Sequence, residues 1–415
     1  MDIKLSITAD APLSFSERKP GGVFQQSLPY VPGSALRGAL AAHLLGGPWA
    51  THKAHHYDPG CAFCRVFLGP EAAIFTHALP ARDSEDEVQV LPATAVSCKR
   101  TRGFRPGGHG VFDTLIERLC LETLAPAGLV YNPVCPVCQS RVEAFRGFYV
   151  RHSHGEHATH YHTRTVDQRL LTRVAINRPR MVAEEGLLFS PYVISEMVEQ
   201  DRHGSQEEPH YQPTVFVGNI WGLPKDFDAQ WFERLKGIGA SASRGLGHVR
   251  VQAGTLGTAD HDGPSVQERA TALDEAIATV WGYVQRFAGN DRAKDGFYFT
   301  LSLRSDAVLH TPAGLPTMIY DAPMLAAVTG IKATLVRSYA SYGYGGGWNS
   351  AWGMPKPSQV LARAGSVYVF WTDGLTPADY DALAKLEWQG IGELTPEGYG
   401  QVRVSDVFHL KRRGT

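Results

Sequence analysis

The most chemically specific residues are two cysteine pairs, Cys61 with Cys64 and Cys135 with Cys138, each spaced C-x-x-C beside a proline. Four thiolates can surround zinc tetrahedrally and close the site, giving a structural centre with no open position for catalysis. The two pairs lie 71 residues apart (135 − 64), so zinc held this way would fasten a large insertion to itself. His52, His55 or His56 could replace one thiolate, whereas Cys98 and Cys120 stand alone and are expected to be ordinary buried residues. His152, His154, His157, His160 and His162 alternate with other residues. That run reads as a solvated loop, with metal binding or acid–base chemistry as its functional reading.

Two segments are locally basic. Cys98 to Arg105 holds Lys99, Arg100, Arg102 and Arg105 and no acid, and Arg164 to Arg180 holds Arg164, Arg169, Arg173, Arg178 and Arg180 against Asp167 alone. Cations interleaved with aromatics suit a phosphate backbone and unstacked bases. Arg173 to Arg178, with Asn177 beside its last arginine, followed by Gly186 to Ile194, reads as a projecting hairpin. A third candidate anion site is the helix predicted from Leu36, Leu40 and Leu44. Ser34 is its expected N-cap and Arg37 lies in its first turn, where free amides and the helix dipole favour a phosphate.

These segments must be local features, because 40 Lys and Arg against 41 Asp and Glu leave a net charge of −1. A hydrophobic content of 43% excludes a mainly disordered chain. No apolar run reaches the ~18–20 residues needed to span a bilayer. The opening MDIKLSITADAPL lacks a basic-then-apolar signal pattern, so a soluble, cytoplasmic protein with reduced thiols is expected.

An internal repeat organises the rest. Gly237-Ile238-Gly239, five residues, then Gly245-Leu246-Gly247 leads to Val249-Arg250-Val251. Gly390-Ile391-Gly392, five residues, then Gly398-Tyr399-Gly400 leads to Val402-Arg403-Val404, at a constant offset of 153 (404 − 251). Phe227, Trp231 and Leu235 before the first frame, and Tyr380, Leu383, Ala384 and Trp388 before the second, have helical spacing. Ile3 to Ala11 resembles Phe299 to Ala307, and both alternate as half-buried strands do. The predicted fold class is therefore α+β: two tandem ferredoxin-like (RRM-like) βαββαβ domains with glycine-rich loops and a zinc-binding insertion.

The expected boundaries are residues 1–255, carrying the insertion at about 50–140 and the hairpin at about 164–196, a connecting helix in 256–294, and a second domain over 295–415. Ser265 and Glu268 predict a capping box for the connecting helix, and Leu273, Ile277, Val280, Trp281 and Val284 its buried stripe.

The glycine frame is not a dinucleotide site, since it follows a helix and leads into a strand. It reads either as a turn needing positive φ or as close backbone approach to a phosphate chain, with Arg244 and His248 beside the first frame favouring the second. Glu393, Pro396 and Glu397 make the second frame acidic and favour a structural role there.

On these motifs the chain resembles the RAMP superfamily of CRISPR-associated proteins, which share the ferredoxin-like fold and a glycine-rich loop. Tyr30 to Leu40 is similar to the family's PGS-containing first helix, which lies along crRNA phosphates, and Arg173 to Ile194 to its thumb hairpin. Gly346-Gly347-Trp348-Asn349, Pro355-Lys356-Pro357 and Ala364 to Phe370 resemble the subunit that caps the crRNA 5′ end in type III effectors. The cysteine knuckles resemble its subtype III-D form. The resemblance implies a non-catalytic RNA-binding subunit that holds the crRNA 5′ handle and touches the large signalling subunit and the first backbone subunit. Ser34, Arg37, Lys99, Arg100, Arg102, Arg173, Asn177, Arg178, Arg180, Arg244, His248, Trp348 and Lys356 are the expected RNA contacts. Backbone members that cut target RNA carry an acid before the PGS helix, and here Ser14 to Tyr30 offers Glu17 and no Asp. The alternative is a crRNA-processing endoribonuclease that uses histidine, or a target-cleaving backbone subunit.

Overall fold

A computed structural model describes residues 1–16, 24–47, 57–104, 107–125, 130–154, 157–199, 210–256, 263–288, 294–349 and 352–413. Glu17, Arg105, His52, His55 and His56 lie outside the described residues.

The fold is mixed α+β, with a four-part antiparallel sheet in each half. In the first half Ile3–Ala9 is central, flanked by Val215–Trp221 and Val249–Thr255, and Ile74–Phe75 with Leu79–Ala81 pairs on the outer side of Val215–Trp221. In the second half Phe297–Leu303 is central, flanked by Val367–Thr372 and Val402–Val404, with Thr334–Tyr339 at the far edge. Numbered along each half, both sheets run fourth, first, third, second. Helix Gly33–Leu45 in one, and helices Ala322–Thr329 and Pro377–Gln389 in the other, pack their apolar residues on one sheet face.

The register refines the repeat. Ile7 pairs with Val251 and Leu301 with Val404, so the first strands correspond at an offset of 294 (301 − 7). The sequence likeness of the two strands suggests 296 (299 − 3). A slip of two keeps every side chain on its own face, so the alternation hides it. The glycine frames keep their offset of 153. The Gly247 amide donates to the Pro12 carbonyl and the Gly400 amide to that of Asp306, each at 2.9 Å. These carbonyls again differ by 294 (306 − 12).

In both frames the backbone is left-handed at matched positions, including Ser241 and Leu394 as well as Gly247 and Gly400. Added methyl groups would lie 2.6 Å from the Ile238 carbonyl oxygen at Gly247 and 1.8 Å from that of Ile391 at Gly400. The positive-φ turn is therefore present in both copies.

A sheet with helices on one face leaves the other bare, but here both second faces are occupied. The connecting helix Val266–Ala288 lays Leu273, Ile277, Val280, Trp281 and Val284 on Tyr298, Val367 and Val369 and on Leu115, Ile116 and Leu119 of the insertion. Its capping box forms: Glu268 accepts from the Ser265 amide at 2.7 Å, and its own amide donates to the Ser265 hydroxyl at 3.2 Å. On the first sheet Leu79, Ala81 and Val217 pack on Val88, Val150 and Phe148. These parts of the sheet faces are thereby closed to any ligand, and loops, edges and hairpins make up the accessible surface around them.

Three local expectations are corrected. Ser34 does not cap its helix; Pro32 is the N-cap, and the Gly33 amide donates to His77 Nδ1 at 3.0 Å. The imidazole satisfies the first of the helix's free amides. The helix expected over Phe227 to Leu235 is one turn, Gln230–Glu233, flanked by i→i+3 bonds such as Leu235 to Phe232. Such tighter turns bury Phe232 in place of Trp231. The histidine run is not a loop but the hairpin Phe148–His154 with His157–Arg164. Its alternation is the two-residue period of a strand.

Gly33 sits where the two halves meet. A methyl group there would lie 1.8 Å from the Phe75 carbonyl oxygen and 2.7 Å from that of Glu397. Gly33→Ala should destabilise by about 1–3 kcal/mol, the range for overpacking. Thermal melts of the variant and of exposed Gly38→Ala, where a methyl group meets nothing within 4 Å, check this.

Candidate nucleic-acid interface and metal centre

The two glycine frames have opposite surroundings. Ser241 to Gly245 of the first are exposed, with Arg244 and His248 facing solvent. The second is wedged between the halves. A Cβ on Gly398 would lie 2.6 Å from His77 Nδ1 and from the Phe75 carbonyl oxygen. His77 stacks on Tyr30 at 4.8 Å and meets Tyr399 edge-on at 5.7 Å. Burial pushes this imidazole down to about 4, which suits its role as an uncharged acceptor for the Gly33 amide.

Glu397, the counterpart of Arg244 (397 − 153), pairs with Lys356 at 2.7 Å. Arg37 is half-buried, its guanidinium donating to the Phe67 carbonyl and lying 5.7 Å from the Phe67 ring. Burial lowers its pKa, with the Glu397 charge opposing that effect. Arg37 and Lys356 thus serve the junction between the halves, and Ser34 is half-buried beside it.

The expected hairpin is present: Arg173–Asn177 pairs with Val182–Ile194, which continues along Gln168–Leu170 and beside Phe24–Gln26. Asn177 Oδ1 accepts from the Arg180 amide at 3.2 Å and shapes the tip, where Arg178 and Arg180 are exposed. At its base Arg173 Nη1 donates to the Arg244 carbonyl at 2.6 Å, tying the hairpin to the exposed glycine frame.

Segment Pro12 to Ser16 links these parts. Leu13 pairs with Ile194, Ser14 accepts from Ala240 at 3.1 Å, and a Cβ on Gly347 would lie 3.4 Å from the Ser16 carbonyl oxygen. Tyr342, Tyr344, Trp348 and Trp352 of the second half are 61%, 52%, 47% and 74% exposed, enough to offer ring faces to bases. Sequence reasoning missed all of these but Trp348. The i, i+2 spacing of Tyr342 and Tyr344 was the available signal, since it puts both on one strand face.

Lys99, Arg100 and Arg102 are exposed but belong to another element, the turn that follows Cys98. Lys99 pairs with Glu143 at 3.3 Å, and Arg102 lies 5.6 Å from the Phe145 ring.

That turn is also the metal candidate. Ligand atoms of Cys98, His109, Cys135 and Cys138 all lie within 4.8 Å of one another. Cys98 and Cys138 sulfurs are 3.6 Å apart, as are Cys135 Sγ and His109 Nδ1. Zn–S bonds of about 2.3 Å at the tetrahedral angle separate sulfurs by about 3.8 Å, so the spacing fits. The ligands hang from a three-stranded sheet of Ala95–Cys98, Val111–Asp113 and Val142–Ala144. The Ser140 hydroxyl and amide pull the Cys138 thiol down to about 6, toward the thiolate a metal requires.

The expected four-cysteine set is not brought together. Cys61 is the N-cap of the short helix Ala62–Phe67, whose Phe63, Val66 and Phe67 pack in the first-half core, and burial raises the Cys64 thiol. Cys98, expected to be an ordinary buried residue, is a member of the cluster. The reach from Cys98 to Cys138 is 40 residues, short enough for one small sheet to present all four ligands. His109, unmarked in the sequence reading, had one signal: it closes the same basic turn that Cys98 opens.

A hydroxyl–imidazole–carboxylate chain joins three parts of the protein. Ser302 Oγ lies 3.0 Å from His409 Nε2, and His409 Nδ1 lies 2.9 Å from Asp113 Oδ2. The order resembles a hydrolytic triad, but His409 is 0% exposed, Asp113 1% and Ser302 4%. A nucleophile must reach substrate, so this chain is a buried clamp between the insertion, the second sheet and the C-terminal turn.

The model of the RAMP superfamily matches residues 21–250, more than half of the chain. The chain belongs to the RAMP superfamily. No curated protein matches. Among solved structures, this RAMP chain is similar to one from the type III-B Cmr-beta complex bound to cognate target RNA and AMPPnP. Identity is 10%, covering 88% of this chain and 86% of that one, with a TM-score of 0.42. It is also similar to a chain of a type IV-B CRISPR complex, at 13% identity over 63% and 97% with a TM-score of 0.23. Among the described residues no helix is long and apolar enough to cross a membrane.

Proposed function

We propose that this RAMP protein is a non-catalytic RNA-binding subunit of a type III CRISPR effector, of subtype III-D, that caps the 5′ handle of crRNA. It acts in the cytoplasm, and its partners are that handle, the large signalling subunit and the first backbone subunit. Its two halves are tandem ferredoxin-like domains over 1–255 and 295–415, joined by the connecting helix. The zinc-bearing insertion belongs to the first.

The observation that carries this reading is the bond from Arg173 to the Arg244 carbonyl. It unites the hairpin, with Arg178 and Arg180 at its tip, and the exposed glycine frame, with Arg244 and His248, into one basic edge. The exposed aromatics of the second half supply stacking surfaces, and the covered sheet faces direct the strand to that edge. Three thiols and one imidazole fit zinc as a closed structural ion, held by Cys98, His109, Cys135 and Cys138.

Co-purification followed by sequencing of bound RNA tests the role. Enrichment of one repeat-derived 5′ end is the expected result, and recovery of unselected RNA contradicts the capping role. Purified protein incubated with repeat RNA should leave it intact. Site-specific cleavage lost on histidine substitution would establish the endoribonuclease instead.

A further inference from the structure

Away from the basic edge lies a cleft of about 750 Å³, between the metal-bearing turn, the hairpin of Phe148–His154 with His157–Arg164, and the C-terminal turn. Small-molecule sites fall in the same range of about 300–1,000 Å³. Among the described residues its lining includes Arg151, His160, Lys411 and Arg412 and no Asp or Glu. In a chain with almost equal numbers of acids and bases, an acid-free lining with these cations is a local departure. Arg412 is oriented by Glu117 at 2.6 Å from behind the lining.

The cleft also has an aromatic wall. Phe104 and Tyr161 stack at 5.6 Å with planes 15° apart, and Lys411 Nζ lies 4.7 Å from the Tyr161 ring centroid. Arg151 pairs directly across the hairpin from Tyr161, so the two share one face. Cations beside a ring suit one ligand chemistry in particular: a phosphate with a base attached. The cations offer charge to the phosphate, and the ring surfaces that line the cleft offer contact area to the base.

We infer that this cleft binds a nucleotide, its phosphate at Arg151 and Lys411 and its base against Tyr161 and Phe104. Where the nucleotide belongs to an RNA strand, the inference rests on the RNA-binding role above and adds a second contact region to it. The same chemistry would accept a free mononucleotide, and the test separates the two sources.

The test uses the full chain, a fluorescently labelled single-stranded oligouridylate, and uridine monophosphate as a separate ligand. Arg151→Ala with Lys411→Ala should weaken RNA binding about tenfold and reduce the log–log salt slope by about 0.7 for each phosphate released. Tyr161→Ala should weaken binding with the slope unchanged, and Arg151→Lys should retain most of the slope. Unchanged melting temperatures show that the variants fold. If wild-type protein binds RNA and the double variant matches it in affinity and slope, the cleft inference is overturned while the RNA-binding role stands. If wild-type protein binds uridine monophosphate but not RNA, and the double variant loses the mononucleotide, the cleft is a free-nucleotide site and the RNA-binding role fails. Binding of neither ligand overturns both.

Discussion

Purified protein should carry about one zinc per chain, and Cys98→Ser or Cys138→Ser should remove it, whereas Cys61→Ser with Cys64→Ser should leave it bound. The four clustered donors all lie within 4.8 Å of one another, and Cys61 and Cys64 are not among them. Structural zinc in small peptides contributes an apparent ~10–16 kcal/mol, which is folding free energy because the site does not exist in the unfolded chain. The sheet that carries the ligands has only three or four residues per strand, and a sheet this small has little core of its own. Removal of one ligand should therefore open the turn after Cys98 and the Cys135–Cys138 turn to proteolysis, while Leu115 to Leu119, packed on the connecting helix, and the two main sheets stay protected. Elemental analysis with limited proteolysis checks both parts. Zinc retained in Cys98→Ser and lost in the Cys61, Cys64 variant would reverse the ligand assignment.

At pH 6 and below, where a His409 with a raised pKa is protonated, Asp113→Ala should cost about 3–5 kcal/mol, because it leaves a buried imidazolium without its partner. Burial alone would lower the His409 pKa, but the charge and hydrogen bond of Asp113 outweigh it and the net shift is upward. A raised folded pKa contributes stability in full below the unfolded value of about 6.5 and loses it as pH rises through the folded value. His77 works in the opposite sense. Its depression from 6.5 to about 4 by burial costs nothing above about pH 6.5 and lowers stability progressively as pH falls from there toward 4. By about 1.4 kcal/mol for each pH unit, that depression corresponds to roughly 3 kcal/mol.

Denaturant melts across pH should show wild-type stability falling on both sides. Asp113→Ala should lose most at or below pH 6, and Asp113→Asn should flatten the alkaline fall. Equal losses for Asp113→Ala at pH 6 and at pH 9 would show that the pair is not held as ions.

Periodicity and repeats made the fold legible in outline. The glycine frames, V-R-V tails and opening strands located both sheets, and the Ser265 capping box located the connecting helix. The two-residue register slip was invisible because a period of two cannot report it. The helix cap failed for a different reason: His77 is 44 residues from Gly33, and local motif reasoning assigns a cap to its neighbour Ser34. Close cysteine spacing favoured two C-x-x-C pairs, whereas the fold matched one pair with a strand-end cysteine and a histidine across a basic turn. Arginine enrichment located the hairpin tip, but it could not separate exposed Arg178 from Arg37, which is turned into the junction between the halves.

The salt dependence of single-stranded 5′-handle RNA affinity, for wild type beside Arg178→Ala with Arg180→Ala, tests the central claim that one basic edge holds the RNA backbone. Wild-type log affinity should fall linearly with log salt at about 0.7 per phosphate contacted, and the variant should bind more weakly with a slope shallower by about 0.7–1.4. A wild-type affinity that does not respond to salt, or a variant with the wild-type slope, would contradict it.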